Sequence, residues 1–292
     1  IPTQQSAKVW FAARDIYLLA KAYEQLYGCT KNCEYIYISR KSLRPALTWA
    51  VGDLTASGEV FARGKYSLSE LVKYMGYHPE DIELDKSLDL NSKNYDVRKL
   101  GTYSEVKTAL NSPSIHAKEL ELGKSAIMYL QEHGLFEHDV LLIDVGWHGT
   151  TQYLLDRIQK SITTSHTIRG LYLGCLDGTN EKIGEDTYRS FFFKETNHYG
   201  FMKGTVLFEC LILAAHGSTV RYQLGPGGST PVLGKNEEMT PFISDVQSGA
   251  MQFVRDYQES VLRRVIRPSP RSVCAPFERL VTVPKNEELI SI

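Results

Sequence analysis

The chain has 292 residues, with 33 Lys and Arg against 34 Asp and Glu, a formal net charge of −1 and 42% hydrophobic residues. A chain of this length forms one large or two small domains and buries a substantial core. The balanced charge, without a basic stripe, argues against a nucleic-acid partner. No stretch approaches the roughly 20 consecutive apolar residues of a transmembrane helix, because Glu209 interrupts the longest apolar run.

The chain start and the cysteines bear on cellular compartment. The sequence begins Ile1-Pro2 rather than with Met and lacks the charged start and apolar segment of a secretory signal, so we expect a domain of a longer, cytoplasmic protein. The five cysteines are odd in number and scattered, which favours reduced thiols over a disulfide framework. Cys29 and Cys33 form the one close pair, but no further Cys or His follows at zinc-binding spacing. We therefore assign no metal site.

The first forty residues predict a strand, a helix and a second strand. Residues 8–13 form an apolar run that favours a strand. From Ile16 the apolar spacing becomes helical, and Gly28 ends it in the position that glycine favours after a helix. Residues 35–38 predict the second strand, and the crossover is long enough for parallel pairing.

The middle of the chain predicts an insertion followed by more strands. Residues 43–135 are mostly helical in pattern, with a polar, loop-rich stretch at 79–113. Residues 140–143 are apolar on both faces, as a central parallel strand requires, and 168–174 and 188–193 predict two further strands. This alternation predicts an α/β fold with a Rossmann-like, open, mainly parallel sheet, flanking helices and a helical insertion.

The last hundred residues no longer show the alternation of strands and helices. We predict a helix over 206–215, a flexible Gly- and Pro-rich loop over 225–231 and a long helix over 243–264. We assign residues 1–267 to a single domain and 268–292 to a C-terminal strap or linker.

Three predicted strands end in polar residues, and we place a ligand site at these ends. In open parallel sheets, ligands bind beyond the carboxyl ends of the strands, near the point where strand order reverses. The three ends are Arg14-Asp15, Ser39-Arg40 and the loop over 144–151. The guanidinium groups of Arg14 and Arg40 suit a phosphate or a carboxylate, and surface ion pairing is the alternative for each.

The third strand end carries most of the chemistry. Thr150 and Thr151 at a helix start offer backbone N–H groups and hydroxyls to an anion, and Asp144 is suited to orient a hydroxyl, bind a metal or act as a base. The alternative is structural, with Gly146 and Gly149 making a tight turn and Thr150 capping the helix. The segment lacks the lysine of a P-loop and the spacing of a dinucleotide-binding motif.

Four other polar or aromatic residues enter the candidate site. Trp147 is placed to stack on a base or sugar ring, and His148 follows it in the same loop. Glu209 and His216 lie seven residues apart, so two helical turns place them on one face. They are suited to acid–base catalysis, while a buried Glu–Arg pair and a helix-capping histidine are the alternatives.

The same motifs resemble a known family. They match, in order and spacing, the region downstream of the phosphatase-like module in large bacterial proteins described as predicted hydrolases of the haloacid dehalogenase (HAD) superfamily. Those proteins occur in capsule and O-antigen gene clusters, often fused to glycosyltransferases. The resemblance covers most of residues 8–255 and departs at Ile16, where the family usually has glycine. The motifs that carry it are 11–15, 35–40, 144–152 and 209–222.

The resemblance does not extend to the hydrolase chemistry. That chemistry requires a nucleophilic aspartate followed two residues later by a second one, whereas Asp15 is followed by Ile16-Tyr17 and Asp144 by Val145-Gly146. The resemblance therefore implies a companion domain that binds or acts on a nucleotide-sugar or sugar phosphate in bacterial surface-polysaccharide biosynthesis. It would be fused to, or work with, a HAD-like or glycosyltransferase domain.

The leading hypothesis is transfer of a glycosyl or phosphosugar group at one shared cleft. The alternatives are HAD-like phosphoester hydrolysis, for which Mg²⁺ is the candidate cofactor, and non-catalytic binding of a partner or polysaccharide precursor. The candidate catalytic residues are Asp144, Glu209 and His216, and the candidate binding residues are Arg14, Asp15, Ser39, Arg40, Gly146, Trp147, His148, Gly149, Thr150 and Thr151.

Overall fold

A computed structural model describes residues 7–28, 31–61, 64–77, 90–194 and 199–285. The strands are β1 (Lys8–Ala12), β2 (Cys33–Ile36), β3 (Lys65–Tyr66), β4 (Tyr95–Asp96), β5 (Val140–Trp147), β6 (Ile168–Cys175), β7 (Tyr188–Lys194), β8 (Thr219–Gly225) and β9 (Gly228–Leu233). The helices are α1 (Tyr17–Tyr27), α2 (Arg40–Val51), α3 (Leu68–Tyr74), α4 (Ser104–Leu110), α5 (Pro113–Glu132), α6 (Thr150–Ile162), α7 (Thr179–Ile183), α8 (Tyr199–Met202), α9 (Thr205–Ile212), α10 (Pro241–Glu259), α11 (Leu262–Val265) and α12 (Pro270–Thr282).

The central sheet has five strands in the order β2-β1-β5-β6-β7, and every neighbouring pair is parallel. The predicted Rossmann-like α/β fold is thereby confirmed. The chain runs from β1 outward to β2, then crosses to the other side of β1 and continues through β5, β6 and β7. Strand order therefore reverses between β1 and β5, and the carboxyl ends of these two strands mark the switch point where ligands bind in such sheets.

Helices cover both faces of the sheet, as a parallel sheet requires. Alternate residues of β1 point to opposite faces. Trp10 and Ala12 pack in the main core with residues of α2, α5 and α6, while Phe11 packs in a second cluster with α1 and α9. This packing fixes where β1 ends and therefore where Arg14 and Asp15 lie.

Helices α2 and α5 meet at Gly123, where no side chain fits. A Cβ atom at this position would lie 2.5 Å from the carbonyl oxygen of Pro45 and 2.5 Å from Cβ of Trp49. Because backbone and Cβ atoms cannot swing aside, we expect Gly123→Ala to destabilise the fold by about 1–3 kcal/mol.

Gly249, in the exposed α10, provides a matched control for Gly123. No atom lies within 4 Å of the position its Cβ would take, so Gly249→Ala should stabilise the protein by about 0.5–1 kcal/mol through the higher helix propensity of alanine. Urea unfolding of both variants measures whether each substitution raises or lowers the free energy of unfolding. Equal effects from the two substitutions would contradict the close approach at Gly123.

Only the middle of the predicted insertion, residues 54–115, forms a second hydrophobic core, because α2 and α5 at its two ends pack in the main core against the sheet. Its α3, α4 and two 3₁₀ helices, Leu54–Val60 and Val97–Thr102, bury side chains such as Leu71, Leu100 and Leu110. The segment also contains the short antiparallel pair β3–β4, which the helical pattern did not predict. Of the stretch predicted to be loop-rich, residues 79–89 lie outside the described residues.

The C-terminal third differs from the prediction in three places. The predicted flexible loop at 225–231 is largely the β8–β9 hairpin, whose Ser229 hydroxyl donates to the carbonyl of Ser125 at 2.7 Å. The predicted long helix ends at Glu259, and α11 follows as a separate turn. The predicted strap contains α12, whose buried Cys274 packs against Phe201. No helix in the described part of the chain has both the length and the apolar character to cross a membrane.

Candidate functional site

A cavity of about 170 Å³ lies at the switch point of the sheet. Its walls come from the carboxyl ends of β1, β2 and β5, from the start of α6 and from Ser218 in the loop before β8. Of the residues proposed from sequence, six line this cavity: Arg14, Asp15, Ser39, Arg40, Asp144 and Thr151. The three polar strand ends therefore meet in space.

Asp144 is an acid of the cavity whose pKa is strongly raised. Its Oδ1 accepts the backbone N–H of Val145 at 2.7 Å, and its carboxylate also accepts a hydrogen bond from the Thr151 side chain. Burial, reinforced by the negative charge of Asp15, raises the pKa of Asp144 to about 7 against the opposing effects of these bonds and of Arg40. A carboxyl group with a pKa near 7 can both release and accept a proton at neutral pH.

The two arginines supply the positive charge of the cavity. The Nε of Arg14 donates to Asp15 Oδ1 at 3.0 Å, and its Nη1 contacts the carboxylate of Glu237. The ion pairing considered as an alternative for Arg14 is thus present, although the residue still lines the cavity. Arg40 is exposed in the first turn of α2, and its charge favours ionised Asp144.

Ser39 has a structural role at the cavity wall. Its hydroxyl accepts the N–H of Ser42 at 3.0 Å and donates to the carbonyl of Thr219 at 2.6 Å. These bonds cap α2 and tie its start to β8, so they position Arg40 rather than leave the hydroxyl available to a ligand.

Strand β5 continues to Trp147, so Asp144 and Gly146 lie within the strand rather than in the predicted loop over 144–151. Both glycines of this segment have backbone roles. Gly146 has a φ of 102°, and a Cβ there would lie 2.7 Å from the carbonyl oxygen of Gly174. Gly149 caps α6 with a φ of 62°, and the Thr150 hydroxyl accepts a hydrogen bond from Lys182 at 3.3 Å. Thr151, which lines the cavity, belongs to the first turn of α6, where a helix leaves its N–H groups without intrahelical partners.

Trp147 and Glu209 form a pair outside the cavity. The indole N–H of Trp147 donates to Glu209, and the ring stacks on Phe193 at a centroid distance of 6.0 Å. Glu209 thus has a hydrogen-bond donor, as its apolar helix predicted, but the pair is only partly buried and the donor is an indole rather than an arginine. His148 follows in the tight turn, where its N–H donates to the carbonyl of Gly146 at 2.7 Å. Trp147, His148 and Glu209 are not among the described residues that line the cavity.

His216 lies in a neighbouring pocket. Its Nδ1 is 3.0 Å from the carbonyl oxygen of Gly217, which can only accept, so Nδ1 carries the proton and Nε2 accepts from the Tyr35 hydroxyl at 2.9 Å. Glu209 and His216 do not share a helix face, because α9 ends at Ile212. The expectation that both would share one cleft with Arg14, Arg40 and Asp144 is therefore wrong.

Two residues of the site were not assigned from sequence. Ser218 lines the cavity, and Glu237 binds Arg14 from a position 223 residues away. No local pattern marks Glu237, since an exposed glutamate in a polar loop is common. Only the tertiary fold brings it to the strand end.

The carboxylates fit a cation only together with a ligand. The described residues contain no group of three or more His, Cys, Asp and Glu side chains placed to hold a metal ion, and Cys29 lies outside them. Asp15 and Asp144 supply two carboxylates, and Mg²⁺ is commonly held by one or two carboxylates plus substrate phosphates. The residues present therefore suit Mg²⁺ as a partner of a bound phosphate.

A search against models of known protein families found no match, and a search of curated proteins found none either. The geometry and charge of the cavity are therefore the basis for assigning a function.

Proposed function

We propose that the switch-point cavity binds the phosphate of a nucleotide-sugar or sugar phosphate and supports transfer of a glycosyl or phosphosugar group in surface-polysaccharide biosynthesis. The observation that carries the proposal is the meeting of Arg14, Arg40, Asp144 and the start of α6 in one cavity. Guanidinium groups and helix N-termini are the groups that most often bind phosphate in proteins.

The chemistry follows from the position of each group. Arg14 and Arg40 hold the phosphate oxygens, and Asp15 orients Arg14. In glycosyl transfer, the bond between the sugar carbon and the phosphate oxygen breaks while an acceptor oxygen bonds to that carbon. The acceptor proton passes to ionised Asp144, and the departing phosphate stays on the two arginines. Glu209 and His216, the other two candidate catalytic residues, take no part, because they hold Trp147 and Tyr35.

The setting of the reaction is part of the same proposal. The domain would act in the cytoplasm, beside a HAD-like or glycosyltransferase domain. The scattered cysteines support a reducing compartment, and no disulfide joins the described cysteines Cys33, Cys175, Cys210 and Cys274.

Calorimetry against a panel of sugar phosphates and nucleotide-sugars tests the binding. We expect Arg40→Ala to weaken binding about 10- to 100-fold, because it removes a charge-assisted contact to phosphate. Arg169→Ala is the matched control, since Arg169 is also exposed but lies near the start of β6, at the opposite edge of the sheet. Failure of the folded wild-type protein to bind any member of the panel would contradict the proposal.

Phosphoester hydrolysis is the second candidate function. One observation favours it: Asp15 lies close enough to Asp144 to raise the pKa of that residue, and two such carboxylates suit a Mg²⁺ ion bridged to phosphate. Hydrolysis predicts Mg²⁺-dependent phosphate release without any acceptor and loss of that release in Asp144→Asn. Transfer predicts product only when an acceptor is present.

A further inference from the structure

A second cavity, of about 350 Å³, lies on the α1 side of the sheet. This volume falls in the range of pockets that bind small molecules. Half of its twelve lining residues carry rings, which come from β1, α1, β2 and the residue after it, and the loop before β8: Phe11, Tyr17, Tyr23, Tyr35, Tyr37 and His216. We call it the ring pocket.

The rings are held in place by one another. The Tyr35 hydroxyl donates to His216, and the centroid of Tyr35 lies 6.1 Å from that of Tyr17 in an edge-to-face arrangement. Phe11 and Tyr23 pack with centroids 5.2 Å apart. Rings fixed in this way lose little conformational entropy when a further ring stacks among them.

The ring pocket and the switch-point cavity are lined by neighbouring residues of three chain segments. Because neighbouring residues of a strand point to opposite faces, the two cavities lie on opposite faces of the sheet, with its carboxyl edge between them. Along β1, Phe11 lines the ring pocket and Ala12 the switch-point cavity. Along β2 and the residues after it, Tyr37 lines the first and Ile38 the second. The loop before β8 repeats the arrangement with His216 and Ser218.

The charges at the switch-point cavity act on a residue of the ring pocket. Burial raises the pKa of Tyr35, and the charge of Asp15 adds to the shift while that of Arg14 opposes it. Because one cavity is lined by rings and the other by charged groups, a ligand that fills both needs a planar, mostly apolar part as well as phosphates.

We propose that the ring pocket holds the nucleobase of a nucleotide whose diphosphate occupies the switch-point cavity. This inference rests on the proposed function and narrows its substrate class, from any phosphorylated sugar to nucleoside diphosphate sugars. Polar groups at the wall, including the tyrosine hydroxyls and the side chains of Lys21 and Glu24, can meet the edge of a base. An alkyl chain would use neither these groups nor the planar faces of the rings.

Calorimetry tests the base site separately from the phosphate site. The probes are ADP, GDP, CDP and UDP, with inorganic pyrophosphate and ribose 5-phosphate as ligands that carry phosphate but no base. We expect at least one nucleoside diphosphate to bind wild-type protein about tenfold or more tightly than pyrophosphate, the scale of one base–aromatic stack. Tyr17→Ala should remove that tenfold advantage and leave pyrophosphate binding unchanged.

Two further variants control the experiment. Tyr27→Ala is the matched control, because Tyr27 is also on α1 and contacts Tyr23, but is 62% exposed and does not line the ring pocket. It should bind like wild type. Ala20→Phe fills the ring pocket from the same helix and should weaken the binding of nucleotides but not of pyrophosphate. This second variant tests the base site even if Tyr17→Ala fails to fold.

The outcomes are distinct. Equal affinity for pyrophosphate and all four nucleotides, or nucleotide affinity unaffected by Tyr17→Ala and Ala20→Phe, overturns the base site and leaves the phosphate site intact. Absence of binding by every probe, pyrophosphate included, overturns the proposed function and the base site together.

Discussion

Glu119→Ala is expected to lower the free energy of unfolding by about 3–5 kcal/mol, as removal of one partner of a buried ion pair does. Glu119 is fully buried and Arg44 is 2% exposed. The Arg44 Nη2 donates to Glu119 Oε1 at 2.6 Å and Nε donates to Oε2 at 3.1 Å, while Tyr77 donates to Oε1 at 2.6 Å. Alanine would leave the guanidinium buried without its counter-charge. Because the pair joins α2 to α5, its loss also loosens the helix that presents Arg40.

Urea unfolding followed by circular dichroism measures this effect. Glu185→Ala is the control, because Glu185 pairs with Lys194 at 2.7 Å on the surface, where solvent screens the pair, so its loss should leave the stability almost unchanged. Replacing both Arg44 and Glu119 by apolar residues of similar size should restore much of the lost stability. A loss of less than about 1 kcal/mol in Glu119→Ala would contradict the buried pair.

Asp144→Asn is expected to reduce turnover by about 10²- to 10⁴-fold, the contribution of a general acid or base. Assays of glycosyl transfer with and without acceptor, and of phosphate release with and without Mg²⁺, measure it. Ligand binding should persist in the variant, because Arg14 and Arg40 remain. Undiminished turnover would contradict a chemical role for Asp144. Binding that persists while neither protein turns over any substrate would favour the non-catalytic alternative.

The same substitution should stabilise the protein at alkaline pH. The folded pKa of Asp144 is about 7 and the unfolded value about 3.9, so the folded state binds more protons between these two values. Stability due to this group therefore falls as pH rises from about 4 to about 7 and stays low above pH 7. Asparagine carries no charge, so the variant should exceed wild type by about 1–3 kcal/mol at pH 8 and match it near pH 4. Urea unfolding at the two pH values shows the sign, and a variant less stable at pH 8 would contradict it.

The sheet and half of the site could be predicted because they depend on local patterns. Apolar runs mark β1 and β5, and parallel strands bring their carboxyl ends to one edge, so Arg14 and Asp144 could be placed together from the sequence alone. Their neighbours Ser39 and Thr151 follow from the same rule.

The rest of the site depends on tertiary contacts that local patterns do not contain. Residues 213–215 are apolar and compatible with a helix, yet α9 ends at Ile212, and the N–H of Ala214 donates to the carbonyl of Arg14 at 3.1 Å. This contact carries His216 away from the face of Glu209. Trp147 adopts a φ of 51°, which no side-chain pattern predicts, and its ring lies in the aromatic cluster with Phe193.

The β8–β9 hairpin was missed for a related reason. Glycine and proline dominate 225–231 and indicate a loop, but only Pro226 and Gly227 form the turn between paired strands. The hairpin is anchored by contacts of Ser229 with Glu132 and Ser125 on α5. Such anchoring becomes visible only when α5 is in place.

The central claim is that the switch-point cavity holds phosphate, and a crystal structure grown with a sugar 1-phosphate that binds in solution tests it most directly. The predicted result is a phosphate group between the guanidinium groups of Arg14 and Arg40, with N···O distances of about 2.7–2.9 Å and the Asp144 carboxyl facing the ligand. A ligand bound at another place, with Arg14 and Arg40 making no contact to it, would contradict the account.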